Sequence, residues 1–460
     1  MKCAIWGMGK CYKMNKSYIP DAHIAFFIDN NVVKQGVDSE GREIYCLKDA
    51  PLEKCDYILI MMFEYDDKIE SLQELGVHSD KIKTYQDIPE LFNHKIMVKD
   101  NGKEFALQEW IDNHMGKKVY VCSHEFSRTG VPVALLNTCV LLEEMGVAVL
   151  FASMRDGDLV EDVEAKGISY VNNFEIFYLS DEVMSTICDF DMVLLGSLVN
   201  HKFAKVLKKW NMRTMWWLHE SEQKYYEECP VVSWDNVLVF GGGKRVTDIF
   251  TKYYPELSIK LLNYFLPDNI KEKEINNRLV FGVIGSLEKR KGQDIFIEAI
   301  NKLPDNVRES AEFWVIGSAV LIDGVEELVR NSSCIKHIPS VSQKELIDIY
   351  TRIDVLICPS RDDPMPIVVT QAFQNSIPCV ISDEVGQKEY MRDCDAGSVF
   401  RSEDSAGLAN IMEHYICNPQ IIEKKGMNAR EVFERHFSKN VVRNALEETW
   451  EYFQGKGCTL

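Results

Sequence analysis

The sequence predicts an α/β protein made of three successive sections of mostly parallel sheet, and three observations carry that expectation. Short runs rich in β-branched and aromatic residues alternate with longer stretches of helical period along almost the whole chain. Several strand-like runs pass through a glycine-containing loop directly into a helix, as at Gly7-Met-Gly9, Gly130-Val-Pro132 and Gly285 to Gly292. The chain has 460 residues, enough for about two to four separate cores.

The first section covers residues 1–93, with strands at Cys3–Trp6, Ile24–Ile28 and Tyr57–Met61. A polar stretch, residues 94–116, reads as a linker. The second section spans 117–270 and opens on the strand Lys117–Cys122. A helix over Val131–Met145 follows, with Pro132 near its start and Gly146 just past its end, which matches the asymmetry of helix start and stop residues. Further strands are expected at Val147–Phe151, Met192–Leu195, Thr214–Leu218 and Val237–Phe240. The third section, 271–438, has strands at Leu279–Ile284, Phe313–Ile316, Ile335–Ile338, Val355–Cys358 and Cys379–Ile381. Ser342-Gln-Lys-Glu345 forms a capping box for a helix between the third and fourth of these. Residues 439–460 read as a closing helix with an apolar stripe of Val442, Leu446, Trp450 and Phe453.

Composition excludes several functions. The formal net charge of −19 argues against non-specific nucleic-acid binding, while leaving room for a local basic patch at the inner face of a membrane. No apolar run reaches the ~18 residues that a membrane helix needs. The stretch Met1-Lys-Cys-Ala-Ile-Trp-Gly turns polar too soon for a signal peptide, so the expected location is the cytoplasm. The fourteen cysteines are scattered singly, without a Cys-x-x-Cys pair or zinc spacing, and read as reduced thiols. Self-association is left open.

Two segments of the third section carry chemistry. The strand Leu279–Ile284 runs into Gly285-Ser-Leu-Glu-Lys-Arg-Lys-Gly292 and then a helix, a place where unpaired N–H groups and Lys291 suit a phosphate. A solvated basic loop is the alternative. The strand Val355–Cys358 leads through Arg361-Asp-Asp363-Pro-Met-Pro366 into a helix with Pro366 expected at its first position. Met365 cannot cap that helix, which leaves the N–H groups of Ile367 and Val368 for an anion. Asp363 ahead of the helix and Gln371 one turn inside it are acceptors suited to sugar hydroxyls. Alternatively Asp363 caps the helix and Gln371 is a surface residue.

The order Gly-x-Leu…Lys-Gly, Asp-Val-x-x-x-Pro-Ser, acidic loop, Pro-Ile-Val, Ala-Phe, Pro-Cys-Val and Gly386-Gln-Lys-Glu389 resembles the donor domain of retaining glycosyltransferases of family four. The resemblance covers about Lys117 to Phe453 and implies a GT-B fold, with two Rossmann-like domains facing a cleft and a small extra one at the N-terminus. It places Asp363 and Gln371 at the two acidic positions of a Glu-x7-Glu motif. It places Lys291, with Arg290 beside it, at the donor diphosphate. Ser286 stands where the family usually has arginine. His124 to Pro132 resembles the family's glycine loop, with Gly130 at the donor phosphate. His219 corresponds to a histidine lying against the transferred sugar, with Glu220 a weaker neighbour.

The catalytic set this implies is His219, Lys291 and Asp363, and the donor set is Gly130, Ser286, Arg290, Lys291, Asp363, Ile367, Val368 and Gln371. The implied reaction is metal-independent retaining transfer from a nucleotide sugar, with a UDP-sugar the first expectation. The acceptor would be a glycan, a lipid-linked molecule or a protein. The muted residues at 286 and 371 keep a non-catalytic partner or glycan-binding subunit as an alternative, and a sugar-nucleotide epimerase ranks last.

In the first section, Gly7-x-Gly9 opens a strand-to-helix turn and Asp29 follows twenty residues after Gly9. Tyr12 occupies the third glycine position of the dinucleotide fingerprint, so the match is partial. The segment resembles small Rossmann-like modules attached to bacterial sugar-modifying enzymes, and a nucleotide pocket and a structural or docking role both remain open.

Overall fold

Each expected strand forms, and all but the edge strand Ile335–Ile338 are largely buried, as in parallel sheets covered on both faces. The structure, a computed structural model, describes all residues except 39, 93–95, 173–180, 320–323, 340, 393 and 456–460. The chain folds into two compact units. One comprises residues 1–128, 142–194 and 202–212, and the other 129–141, 195–201 and 213–460. The boundary expected at 270 falls inside the second unit.

In the first unit, β1 (Cys3–Trp6), β2 (Ile24–Ile28), β3 (Gly36–Val37), β4 (Glu43–Tyr45), β5 (Tyr57–Ile60) and β6 (Ile82–Thr84) form a sheet in the order β3-β4-β2-β1-β5-β6. All pairings are parallel except β3 with β4. The chain leaves β1 toward β2 on one side and later returns to β5 on the other, so the strand order reverses at β1. Ala4, Trp6, Phe26, Ile28, Ile60 and Leu72 fill one core of this sheet.

The stretch 94–116 is not a linker. Residues 94 and 95 lie outside the described residues, but β7 (Met97–Asp100) and β8 (Lys103–Ala106) form an antiparallel hairpin, followed by a helix over Leu107–Asn113. Asn101 and Gly102 turn it with φ of 48° and 74°, the left-handed pair that a two-residue hairpin requires. Val98 is fully buried, and β7 adds to β11 (Ser169–Asn172) in antiparallel register at Lys99 and Tyr170. With β9 (Lys118–Ser123), β10 (Ala148–Ser153) and β12 (Met192–Gly196), these strands run in the order β12-β9-β10-β11-β7-β8. The helix after β9 starts at Gly130 and ends at Glu144, one residue from expectation at each end. Gly146, at φ 76°, donates to the Glu143 carbonyl and Val147 donates to Leu142, closing the helix end.

In the second unit, β13 (Thr214–Leu218), β14 (Val237–Gly241) and β15 (Lys260–Leu261) are parallel neighbours. A six-stranded parallel sheet follows: β16 (Leu279–Ile284), β17 (Ala311–Ile316), β18 (Ile335–Ile338), β19 (Val355–Cys358), β20 (Cys379–Ser382) and β21 (Gly397–Phe400), in the order β18-β17-β16-β19-β20-β21. Phe281, Phe296 and Phe313 anchor one of its cores. The Ser342 capping box forms as expected, with Ser342 and Glu345 exchanging hydrogen bonds. The closing helix, Lys439–Phe453, buries Val442, Leu446, Thr449 and Trp450.

Candidate functional site

The loop after β16 is held by its glycines. Gly285 has φ 150° and donates to the Ile316 carbonyl at 3.0 Å. Gly292 begins the helix Gln293–Lys302 with φ 73°, and a Cβ there would lie 2.1 Å from the Pro359 carbonyl oxygen. Only glycine allows that approach, which seats the loop on the carboxyl end of β19. The buried Gln293 side chain donates to the Ser286 carbonyl at 2.8 Å.

From this seat Lys291 reaches Asp363, with Nζ to Oδ2 at 2.5 Å and both side chains mostly buried. Arg290 donates to the Asp362 carbonyl and to Glu288 Oε1, each at 3.0 Å, and lies 3.8 Å from Asp363. The Ser286 hydroxyl donates to Glu288 at 2.9 Å, so this position works within the loop where the resemblance implies an arginine. The Cys358 thiol lies under this loop, and burial, with the nearby Asp363 charge, pushes it up to about 11, so it stays neutral.

The acidic loop is cross-braced. Arg361 grips Asp294 with two nitrogens, at 2.9 and 3.1 Å, and also holds Glu403. Arg245 forms an ion pair with Asp362 at 2.9 Å and donates to the Glu384 carbonyl at 3.1 Å. The backbone of Asp363 pairs with Glu384 and Gly386. A Cβ on Gly386 would sit 1.7 Å from the Pro364 carbonyl oxygen. The two aspartates therefore face cations, Asp362 toward Arg245 and Asp363 toward Lys291, and Asp363 does not cap the helix. Among the described residues no group of three or more His, Cys, Asp and Glu is placed to hold a metal ion.

Burial penalises the charge of Asp294, but its bonds to Arg361 and Lys289 outweigh that and hold its carboxyl below the ordinary range. A carboxyl lowered on folding stabilises fully above the unfolded value of about 4 and loses that contribution as pH falls through the folded value. Asp294→Asn is therefore expected to destabilise the protein at neutral pH and to flatten its loss of stability below about pH 4. Urea denaturation across pH checks this.

The helix Ile367–Gln374 starts one residue later than expected. Pro366 is its N-cap, at ψ 126°, and no side chain caps it. The N–H groups of Ile367 and Val368 have no hydrogen-bond partner among the described residues. Gly130, at the start of another helix, lies with its Cβ position 3.8 Å from Ile367 Cδ1, so two helix N-termini converge here. Gln371 sits differently from its sequence reading. Its carbonyl oxygen accepts from the buried Tyr350 hydroxyl at 2.9 Å, which leaves mainly its NH2 group for a ligand.

His219 follows β13 directly, with its ring 4.7 Å from that of Trp217. Glu220 belongs to the scaffold. Its carboxylate accepts from the Ser197 hydroxyl, from Leu198 N–H at 2.9 Å and from His219 N–H at 3.1 Å. Sequence reasoning missed Gly242, Gly243 and Arg245. A Cβ on Gly242 would come 2.6 Å from His219 Nδ1, and one on Gly243 would come 2.5 Å from Met365 Cε. These adjacent glycines link His219 to the acidic loop, and the signal was visible as Gly241-Gly-Gly-Lys at a strand's carboxyl end. Gly242→Ala is expected to displace the His219 ring and to cut activity about 10- to 100-fold, as misplacement by an ångström does. Steady-state kinetics with the fold checked by circular dichroism measure it.

Comparison with known proteins bears on the family and the fold. Residues 267–432 match the model for glycosyl transferases group 1, residues 115–254 that for glycosyl-transferase family 4, and residues 1–83 that for C2185-like, N-terminal. The capsular polysaccharide biosynthesis glycosyltransferase CapM of Staphylococcus aureus is 23% identical over 201 residues, 41% of this chain and 51% of that protein. The lipopolysaccharide core biosynthesis glycosyltransferase LpsE of Rhizobium meliloti is 21% identical over 163 residues, 35% of this chain and 46% of that one. The chain thus spans about half the length of the curated relatives it matches. Among solved structures, Anabaena HepE in complex with UDP and glucose superposes with a TM-score of 0.62 at 15% identity, covering 73% of this chain and 99% of HepE. WaaG, a glycosyltransferase involved in lipopolysaccharide biosynthesis, gives 0.54 at 14% identity, covering 73% and 100%. Both halves of the fold and both family models agree, and the chain belongs to the family-four glycosyltransferases of GT-B fold.

Proposed function

We propose that the protein is a retaining glycosyltransferase that moves a sugar from a nucleotide diphosphate donor to a glycan or lipid-linked acceptor in polysaccharide biosynthesis. The observation that carries this reading is the Lys291–Asp363 pair beside the uncapped helix start at Ile367. A diphosphate there meets two unpartnered helix N–H groups with the Lys291 ammonium close by, and these stabilise its charge as it grows on departure. Asp363 then accepts from a sugar hydroxyl while Lys291 turns to phosphate. His219 lies against the sugar, and the acceptor attacks on the face the nucleotide leaves. Lys291, Arg290 and the helix N-termini supply the charge stabilisation, which is the basis for expecting a metal-independent reaction.

UDP and UDP-glucose are the ligands of the HepE structures, which supports a UDP-sugar here. The capsular and lipopolysaccharide roles in the names of CapM and LpsE support a polysaccharide or lipid-linked acceptor. No helix among the described residues is long and apolar enough to cross a membrane. We place the reaction in the cytoplasm, with the acceptor presented at the inner membrane face.

The test is a thermal-shift and turnover screen with UDP-, GDP- and dTDP-sugars. Saturating the right donor at 100-fold its Kd is expected to stabilise the fold by about 2.7 kcal/mol. Nuclear magnetic resonance of the new linkage reports whether the anomeric configuration is retained. Turnover that survives in both Lys291→Ala and His219→Ala sinks the site. Donor binding without transfer to any acceptor favours the non-catalytic reading, which the engaged side chains of Ser286 and Gln371 support.

A further inference from the structure

The carboxyl ends of β1, β2 and β5 enclose a pocket of about 480 Å³ in the N-terminal module, lined by Trp6, Gly7, Lys10, Asp29, Met62 and Lys68 among others. It lies at β1, where the strand order reverses, the position at which open α/β sheets hold their ligands. Its volume lies within the range of about 300–1,000 Å³ typical of small-molecule sites.

The floor is backbone. Gly7 has φ 103° and donates to the Ile28 carbonyl at 2.9 Å. A Cβ there would come 3.1 Å from the Met61 carbonyl oxygen and 3.2 Å from Met62 Cγ. The loop is thus pressed onto the end of β5.

The residues do not suit a dinucleotide. That fingerprint needs an acidic side chain free to accept from a ribose. Asp29 instead receives the Asn31 N–H at 3.0 Å and Lys34 Nζ at 2.9 Å. Burial penalises its charge, yet the bonds from Lys34, Asn31 and the Met8 N–H outweigh this and hold the carboxyl below its ordinary range. Tyr12 fills the third glycine position and packs edge-on against Phe27, with ring centroids 5.4 Å apart.

What remains is positive charge beside soft apolar surface. Lys10, Lys34 and Lys68 line the pocket, with Lys34 paired to Asp29 and Lys68 to Asp67. Lys202 adds a fourth ammonium 4.9 Å over the ring of Phe63, itself a lining residue. Its charge reaches into the pocket: burial pushes the Cys11 thiol up to about 12, and Lys202 opposes the rise. In a chain of net charge −19, such a cluster is a local concentration of positive charge, in which Lys34 and Lys68 have carboxylate partners.

We propose that this pocket binds a phosphorylated small molecule of nucleotide size, with its phosphate between Lys10 and Lys202 and its apolar part on Met62 and Phe63. This second site is independent of the donor site.

Hydrogen–deuterium exchange on the full chain tests it, because it reads the two sites separately. The probes are UMP, UDP, UDP-glucose, glucose 1-phosphate and inorganic pyrophosphate. At least one organic phosphate is expected to protect residues 7–12 and 60–68. That protection should persist in Lys291→Ala and weaken at least tenfold in Lys10→Glu/Lys202→Glu. The double variant should keep any protection of residues 285–293 and 361–371, which shows that its fold is intact. Whether the nucleotides or glucose 1-phosphate protect more strongly separates the two sources of phosphate. The proposal is overturned if no probe protects residues 7–12 and 60–68. It is equally overturned if their protection disappears in Lys291→Ala, or if pyrophosphate alone protects as strongly as every organic phosphate.

Discussion

Replacing Lys291 with alanine is expected to lower kcat/KM for the nucleotide-sugar donor by about 10²–10³, the usual cost of removing one preorganised charge-stabilising donor. The effect should fall mainly on kcat, since the diphosphate charge is largest as the sugar leaves. The same substitution acts on the fold. Asp363 is only 7% exposed, and without Lys291 its remaining cation is Arg290 at 3.8 Å. Leaving that buried carboxylate underpaired is expected to cost about 1–3 kcal/mol of stability. Adding Asp363→Asn removes the stranded charge, so the double variant should regain much of that stability while transfer stays low. Urea denaturation alongside donor kinetics separates the two effects. Recovery of activity together with stability would show that Lys291 acts only on the fold.

Gly292→Ala is expected to do more damage than any other single methyl added to the donor loop. The new Cβ would meet the Pro359 carbonyl oxygen at 2.1 Å, in a backbone conformation of φ 73° that side chains disfavour. The clash and the strain each cost about 1–3 kcal/mol, so a loss of about 2–6 kcal/mol is expected. The carbonyl belongs to the end of β19 and cannot retreat without moving the acidic loop that follows. Lys291, one residue earlier, would lose its reach to Asp363. Donor affinity, measured calorimetrically, should therefore fall together with thermal stability. By contrast Gly76→Ala, which meets nothing within 4 Å, should cost only its backbone strain at φ 80°.

Much of this was legible because it is local. Strand runs and the Ser342 capping box depend on neighbours within a few residues, and they form within a residue or two of expectation. Lys291 and Asp363 stand out in the sequence because strand-to-loop-to-helix patterns bring side chains to strand ends. Side-chain aim was not legible. Gln371 turns its oxygen to Tyr350, which comes from a helix 21 residues earlier, and Glu220 is claimed by Ser197 and Leu198. No spacing in the sequence reveals such long-range partners. The hairpin at 97–106 differs again, because its Asn101-Gly102 signal stood in plain view. The surrounding stretch is polar, as an edge hairpin must be, and so reads as a linker.

That hairpin also bears on how the sheet ends. It places β8 at the outer end of its run of strands, where Lys103 and Glu104 are exposed on a strand of four residues. Short, charged edges discourage a second chain from adding on. Behind them, β11 carries the buried Tyr170 and Val171. Were the hairpin cut away, β11 would offer open backbone and apolar side chains to any neighbouring copy, so these ten residues guard the sheet against self-templated growth.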